Sequence, residues 1–397
     1  MSLQRTFLPI LAVIIIISAG LILLLSSSAD SPAEAVAVQP TADSEEEILD
    51  KQISERVSSM SLEEKVGQMF LLGIWTREGN GQLLDVIRTG KIGAVILMGQ
   101  NVGTYEETSQ FISDLHATAY ETSGLPLIVS VDQEGGIVSR LRFPGFEVTS
   151  QPEIQTEAEA YEVGLKRAGD LRGLGINVNF SPVLESISNA RSFLYQRTFR
   201  SNGESETIGL LGSAMIRGYQ DGGIIAVPKH FPGHDDTSSD SHKTLPTAAV
   251  SQSGFDAHIA PFLDSLSTND IQMIMTAHVL FKDIDPLYPA TLSEKIIKGI
   301  LRDKIGYAGV IITDDMEMRA IQDGFGLEES AVQAVKAGND ILLYVSTVER
   351  QATAHEAVLE AVKNGEIPES RIDESVRRVV RLKMKISSES WIDTIPE

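Results

Sequence analysis

The 397-residue chain carries 33 Lys and Arg against 55 Asp and Glu, a formal net charge of -22, and no cysteine. The acidic balance excludes nucleic acid as a partner, because nothing here would neutralise phosphates. Without cysteine there is no disulfide, no thiolate metal site and no lipid-modified N-terminal Cys.

In chain order, the first feature is an uncharged apolar run from Phe7 to Leu25, preceded by Arg5 and followed by Asp30 and further acids. Nineteen such residues nearly span a bilayer, and the positive-inside rule puts the bulk of the chain outside. Ser27-Ser28-Ala29 also suits a small-residue cleavage site, so residues 1–29 read as a signal anchor or a signal peptide. Both readings give an extracytoplasmic protein, membrane-anchored or secreted. Between Asp30 and Asp50 stand seven acids and no Lys or Arg, so 30–49 reads as a flexible acidic linker. One domain over 50–386 and a short tail over 387–397 complete the organisation.

Eight apolar, β-branched runs then recur: Gln68–Ile74, Ile92–Met98, Leu127–Val131, Asn177–Val183, Ile224–Val227, Met273–Val279, Gly309–Thr313 and Asp340–Val345. Apolar runs without alternation suit parallel strands buried on both faces. Helix-like spacing fills Tyr105–Thr122, Thr156–Leu174, Glu204–Asp221, Thr291–Asp303 and Leu327–Lys336. Strands alternating with helices predict an α/β fold, a single (β/α)8 TIM barrel, with an open doubly wound sheet as the rival. The polar residues decide between them. Asp132, Lys229-His230, His278 and Asp314-Asp315 each follow or end a different strand, as at the C-terminal rim of a barrel.

Three of the seven histidines fall between His230 and His242, in Lys229-His230-Phe231-Pro232-Gly233-His234 and Asp240-Ser241-His242. A zinc or iron site and a polar surface loop are the competing readings. Lys229 beside His230 would repel a cation, so no metal is expected. Asp314 emerges directly from an apolar run, where a rigid carboxylate suits attack on an anomeric carbon. The plainer reading of such an aspartate is a helix cap, and Asp315 is the better candidate for that. Asp132, Arg140, Arg197, Lys229 and His230 form a charged set suited to orienting sugar hydroxyls, although each alone would pass for a surface ion pair.

Together these residues resemble family 3 of the glycoside hydrolases, specifically the bacterial β-N-acetylglucosaminidases (beta-hexosaminidases) of peptidoglycan turnover. The likeness runs from Met60-Ser61-Leu62 through Val131-Asp132-Gln133-Glu134-Gly135-Gly136, Asn179-Phe180-Ser181-Pro182-Val183 and Arg197-Thr198-Phe199. It continues in the Lys229–His234 and Asp240–His242 motifs, Met275-Thr276-Ala277-His278, Thr313-Asp314-Asp315 and Ala337-Gly338-Asn339-Asp340, and covers about residues 50 to 385. The resemblance implies Asp314 as nucleophile, His242 as acid/base and Asp240 as its partner. It implies sugar binding by Asp132, Arg140, Arg197, Lys229 and His230. Three positions depart from the pattern: Ile137 where Arg is common, Asp235 for Gly, and Glu185 for Asp.

The implied function is a retaining exo-acting β-N-acetylglucosaminidase on peptidoglycan fragments or chitooligosaccharides, with a carbohydrate substrate, membrane contact through the N-terminal segment and no cofactor. A β-glucosidase or β-xylosidase, a GlcNAc phosphorylase and an inactive sugar-binding protein are the alternatives. The i, i+2 spacing of Asp240 and His242 allows their contact in a turn or extended loop, not across a helix face.

Overall fold

A computed structural model describes residues 44–388, apart from 77, 201–203, 235, 236, 238, 252 and 253. The apolar run 7–25 and most of the acidic linker lie outside the described residues. Among those described, no helix is long and apolar enough to cross a membrane.

All eight predicted runs contain strands: β1 (Phe70–Gly73), β2 (Ala94–Leu97), β3 (Ile128–Val131), β4 (Val178–Asn179), β5 (Ile225–Ala226), β6 (Met273–Thr276), β7 (Val310–Asp315) and β8 (Ile341–Val345). They form one parallel sheet in the order β5-β4-β3-β2-β1-β8-β7-β6. Each strand therefore pairs with its neighbours in the chain except at β5 and β6, and the first and last pair with each other, Phe70 facing Leu342. The two sheet edges, β5 and β6, are joined by the extended residues that follow β5. Met275 N donates to Pro228 O (3.1 Å), Phe231 N to Met275 O (2.7 Å) and Ala277 N to Phe231 O (2.7 Å). The result is a nearly closed eight-stranded parallel barrel, consistent with the TIM type, and the open-sheet alternative is set aside.

Strand residues such as Val95, Val129, Ile274 and Ile312 are fully buried, which explains why the runs show no alternation. Helices cover the outside. The helix Tyr105–Ser123 starts in a capping box of Thr104 and Glu107 and stops at left-handed Gly124. The predicted helix at Thr291–Asp303 is instead a 3-10 turn, Ala290–Leu292, followed by a π-helix, Lys295–Lys304. Glu45–Ser58 is helical, so helix begins inside the stretch that composition reads as linker. Its Ile53 and Val57 pack in one cluster with Val376 and Val380 of the C-terminal helix Glu369–Ser388.

The helices Glu157–Gly173 and Ser205–Asp221 approach backbone to backbone. A Cβ at Gly218 would stand 2.2 Å from Tyr161 O, and one at Gly164 would stand 2.5 Å from Met215 O. Neither position tolerates a side chain without moving a helix. Gly218→Ala is predicted to cost about 1–3 kcal/mol through overpacking. A lower Tm with unchanged activity per folded molecule is the expected result of thermal denaturation and assay.

Candidate active site

The rim at the C-terminal ends of the strands collects charge. Asp132 follows β3, and two residues on, in extended chain, Glu134 points to the same side. The buried ammonium of Lys229 sits between them, 2.8 Å from Asp132 Oδ1 and 2.6 Å from Glu134 Oε1. Arg197 grips the same Glu134 with two bonds, Nε to Oε2 at 2.9 Å and Nη2 to Oε1 at 2.8 Å. Arg140 Nη2 lies 3.5 Å from Asp132 Oδ2, and its buried Nε has no partner among the described residues. Burial alone would raise the Glu134 pKa, but Arg197 and Lys229 outweigh it and hold the carboxyl at about 2. Burial likewise works against the Lys229 charge, and Asp132 and Glu134 more than restore it.

Beneath this group lies Glu185, with only 1% exposure. Its Oε1 accepts the His230 amide (3.0 Å) and ring Nδ1 (2.9 Å), while Oε2 accepts the His234 amide (2.6 Å). The intervening turn depends on Gly233, whose φ of 124° and proximity to His258 Nε2 disfavour any side chain. Glu185 is thereby lowered to about 2, with the two histidines outweighing its burial. Burial pushes His234 down to about 4, so it is neutral near pH 7. The ligand atoms of Glu185, His230 and His234 lie within 4.8 Å of one another, the grouping a metal reading would use. Here both carboxylate oxygens are occupied by N–H donors, and the trio acts as a clamp on the chain after β5.

Asp314 stands at a bulge in β7, where pairing with β8 slips between Ile312–Ile341 and Asp315–Leu343. Thr313 Oγ1 takes over part of the ladder by accepting Leu343 N at 3.0 Å. Asp314 Oδ1 accepts the Asp315 amide (2.8 Å), and Oδ2 is 3.9 Å from His230 Nε2. Burial favours the neutral acid, but His230, His278, the Asp315 amide and Lys229 hold Asp314 well below the usual carboxylate range. The adjacent Asp315 behaves oppositely, pushed up to about 8 by burial and by Asp314. It does not cap a helix as its sequence position suggests. The following helix starts at Arg319 with Met318 as cap, and Asp315 Oδ1 instead accepts the amides of Glu317 (3.1 Å) and Val345 (3.2 Å). Its carbonyl oxygen accepts from His278 Nε2 at 3.0 Å. Two neighbouring carboxyls are thus driven in opposite directions, one lowered by its neighbours and the other raised by burial.

Asp240 and His242 meet in a turn, where Asp240 O accepts from Lys243 N (2.9 Å) and Thr244 N (3.1 Å). Asp240 Oδ1 accepts both the His242 amide (3.0 Å) and its Nδ1 (2.9 Å), leaving Nε2 as the outward nitrogen. A cleft of about 250 Å³ is lined by Asp132, Glu134, Arg140, Arg197, Lys229, His230, His242 and Asp314, with Phe193 and Ser241. Seven of the eight residues predicted from sequence therefore line one cleft, and Asp240 stands behind His242. Glu134, Phe193 and His234 belong to the site without having been predicted. Of the departing positions, Ile137 is an exposed residue between the two strands of the hairpin Gln133–Gly135 and Val138–Ser139, and Asp235 lies outside the described residues.

A parallel barrel with charged residues converging at one rim defines the class, and the sequence comparison gives the family. The profile described as "Glycosyl hydrolase family 3 N terminal domain" matches residues 61–382, and the chain belongs to this family. It is 29% identical over 336 residues to Beta-hexosaminidase A of Pseudoalteromonas piscicida, covering 78% of this chain and 56% of that protein. It is also 29% identical to Beta-hexosaminidase LpqI of Mycobacterium tuberculosis, covering 82% of this chain and 83% of that one. The structure is similar to that of a family 3 β-N-acetylglucosaminidase from Paenibacillus sp. str. FPU-7, with TM-score 0.79 and 37% identity. That match covers 84% of this chain and 64% of the other. The chain thus spans little more than half of the Pseudoalteromonas protein and just under two thirds of the Paenibacillus one.

The charge assignments have measurable consequences. Glu134→Gln leaves Lys229 and Arg197 short of a counter-charge and is predicted to cost about 3–5 kcal/mol at neutral pH. Because the folded-state pKa is depressed from 4.5 to about 2, that stabilisation is complete above 4.5 and fades as pH falls towards 2. The gap between wild type and variant in urea midpoint should narrow over that window. Asp315→Asn retains the Oδ1 acceptor and is expected to keep most activity, whereas Asp314→Asn loses it. Steady-state assays of the two variants, with circular dichroism as a check on folding, decide the point.

Proposed function

We propose that this chain is a retaining, exo-acting β-N-acetylglucosaminidase that removes terminal β-linked GlcNAc from peptidoglycan fragments or chitooligosaccharides. The observation that carries the reading is one cleft containing both Asp314, an ionised and rigidly held carboxylate, and His242, an imidazole gripped through Nδ1 by Asp240. The names of the relatives support the sugar.

In the first step the Asp314 carboxylate attacks C1 as the glycosidic bond breaks, and protonated His242 gives its Nε2 proton to the leaving oxygen. The Asp240 carboxylate stabilises the imidazolium and fixes the ring, as in other carboxylate–histidine dyads. In the second step neutral His242 takes a proton from water, which attacks C1 and frees Asp314. Histidine serves both steps because its ordinary pKa lies near neutrality. Lys229, His230, Asp132, Arg197 and Arg140 hold the sugar hydroxyls, with Arg140 Nε as an unused donor. The apolar segment 7–25 would export the enzyme as an anchored or secreted protein.

Mutation separates these roles. Asp314→Ala is predicted to abolish turnover of an aryl N-acetyl-β-glucosaminide while the melting temperature stays near that of wild type; retained turnover would remove Asp314 from the mechanism. His242→Ala should lower kcat/KM by about 10²–10⁴ with poor leaving groups and far less with activated ones. Equal losses across a leaving-group series would contradict the acid role.

A further inference from the structure

We propose that Phe193 is a positioning residue for the acid/base imidazole, an inference that rests on the reading of His242 as that group. His242 is the exposed member of the site, its side chain 60% accessible, so the barrel does not hold it in place. Two side chains order its ring. Asp240 binds the Nδ1 edge, and Phe193 meets the ring with centroids 5.9 Å apart and planes at 88°. A single hydrogen bond leaves an imidazole free to rock about the axis through its bonded nitrogen. A second, edge-to-face contact on another side removes that freedom and sets where Nε2 points.

The same phenyl ring also meets His234, at 5.5 Å and 85°. His234 is buried, and its amide is clamped by Glu185. Phe193 therefore carries the order of the barrel rim across to the exposed histidine.

Its own mounting is firm on the side away from the cleft. Leu194 is completely buried, Arg197 N donates to Leu194 O (2.8 Å), and buried Thr198 donates its hydroxyl to Glu185 O (2.5 Å). Glu185 thus holds His230 and His234 through its carboxylate and the Phe193 segment through its carbonyl. Phe193 itself is half-buried and lines the cleft. A ring needed only to fill space would not have to be presented there.

The experiment compares Phe193→Ala, Phe193→Leu and Phe193→Tyr in the full chain, alone and combined with His242→Ala, on aryl N-acetyl-β-glucosaminides of graded leaving-group ability. With poor leaving groups, Phe193→Ala should lower kcat/KM roughly three- to tenfold, the span expected of one aromatic contact. With a dinitrophenyl leaving group, which needs little protonation, the rate should stay near that of wild type. Phe193→Tyr should restore the poor substrates, and Phe193→Leu, which keeps apolar volume and folding, should not. In the His242→Ala background Phe193→Ala should cause no further loss.

Uniform loss over the series, or an undiminished loss in the His242→Ala background, overturns the proposal. If His242→Ala itself shows no leaving-group dependence, the acid/base reading is what fails, and the inference falls with it.

Discussion

The site is organised around a buried ammonium. Lys229 lies at 2% exposure between Asp132 and Glu134, and Arg197 completes the group from the far side of Glu134. A lone buried charge is prohibitively costly, whereas a fully bonded set of opposite charges is tolerated. The chain can satisfy that set only if the ends of β3 and β5 and the segment after β4 come to one place. Lys229 is brought there by the backbone bonds of 228–231, the same bonds that join the two edges of the sheet. Barrel closure and the placement of Lys229 therefore rest on the same bonds. Once assembled, the group offers fixed donors and acceptors that need not reorganise when a polar ligand arrives.

Two histidine–carboxylate pairs, each with its imidazole lining the cleft, differ by environment. Glu185 and His230 are buried, and that carboxylate also accepts two backbone amides, so the pair shapes the main chain. Asp240 and His242 use similar contacts in an exposed turn, and the imidazole keeps one nitrogen outward. Burial ties the first pair to the main chain, and exposure leaves the second open to solvent. Asp314 and Asp315 repeat the contrast within two residues. One carboxyl has two histidines, an amide and Lys229 beside it and is held low; the other is buried beside the first and is pushed up to about 8.

Much of the barrel is legible in the amino-acid order because strands buried on both faces leave an unmistakable apolar signature. Their lengths are less legible. The run Asn177–Val183 yields only Val178–Asn179 as strand, since the chain then leaves the ladder to reach Lys229 through Val183. The sequence reading assigns no helix to Gly79–Gly90, Val348–Lys363 or Glu369–Ser388, whose apolar stripes only make sense against a sheet already in place. At the rim, residues with a local motif are found and residues defined by distant partners are not. Glu134 gains its role from Arg197, 63 positions away, and Phe193 from histidines on another loop. The alternation Asp132-Gln133-Glu134 was the available signal for Glu134. Asp315 illustrates the opposite error, since a strand-to-helix aspartate looks like a cap until the bulge in β7 shows that it binds across to β8.

In the proposed reaction the side chain of Asp314 becomes covalently joined to the sugar. Mass spectrometry of the protein after reaction with a slow, fluorinated N-acetylglucosaminide tests it directly. One glycosyl adduct per chain is expected, on the peptide containing Asp314, discharged when an acceptor is supplied. An adduct on another carboxylate, or steady turnover with no adduct and inverted product stereochemistry, would contradict it.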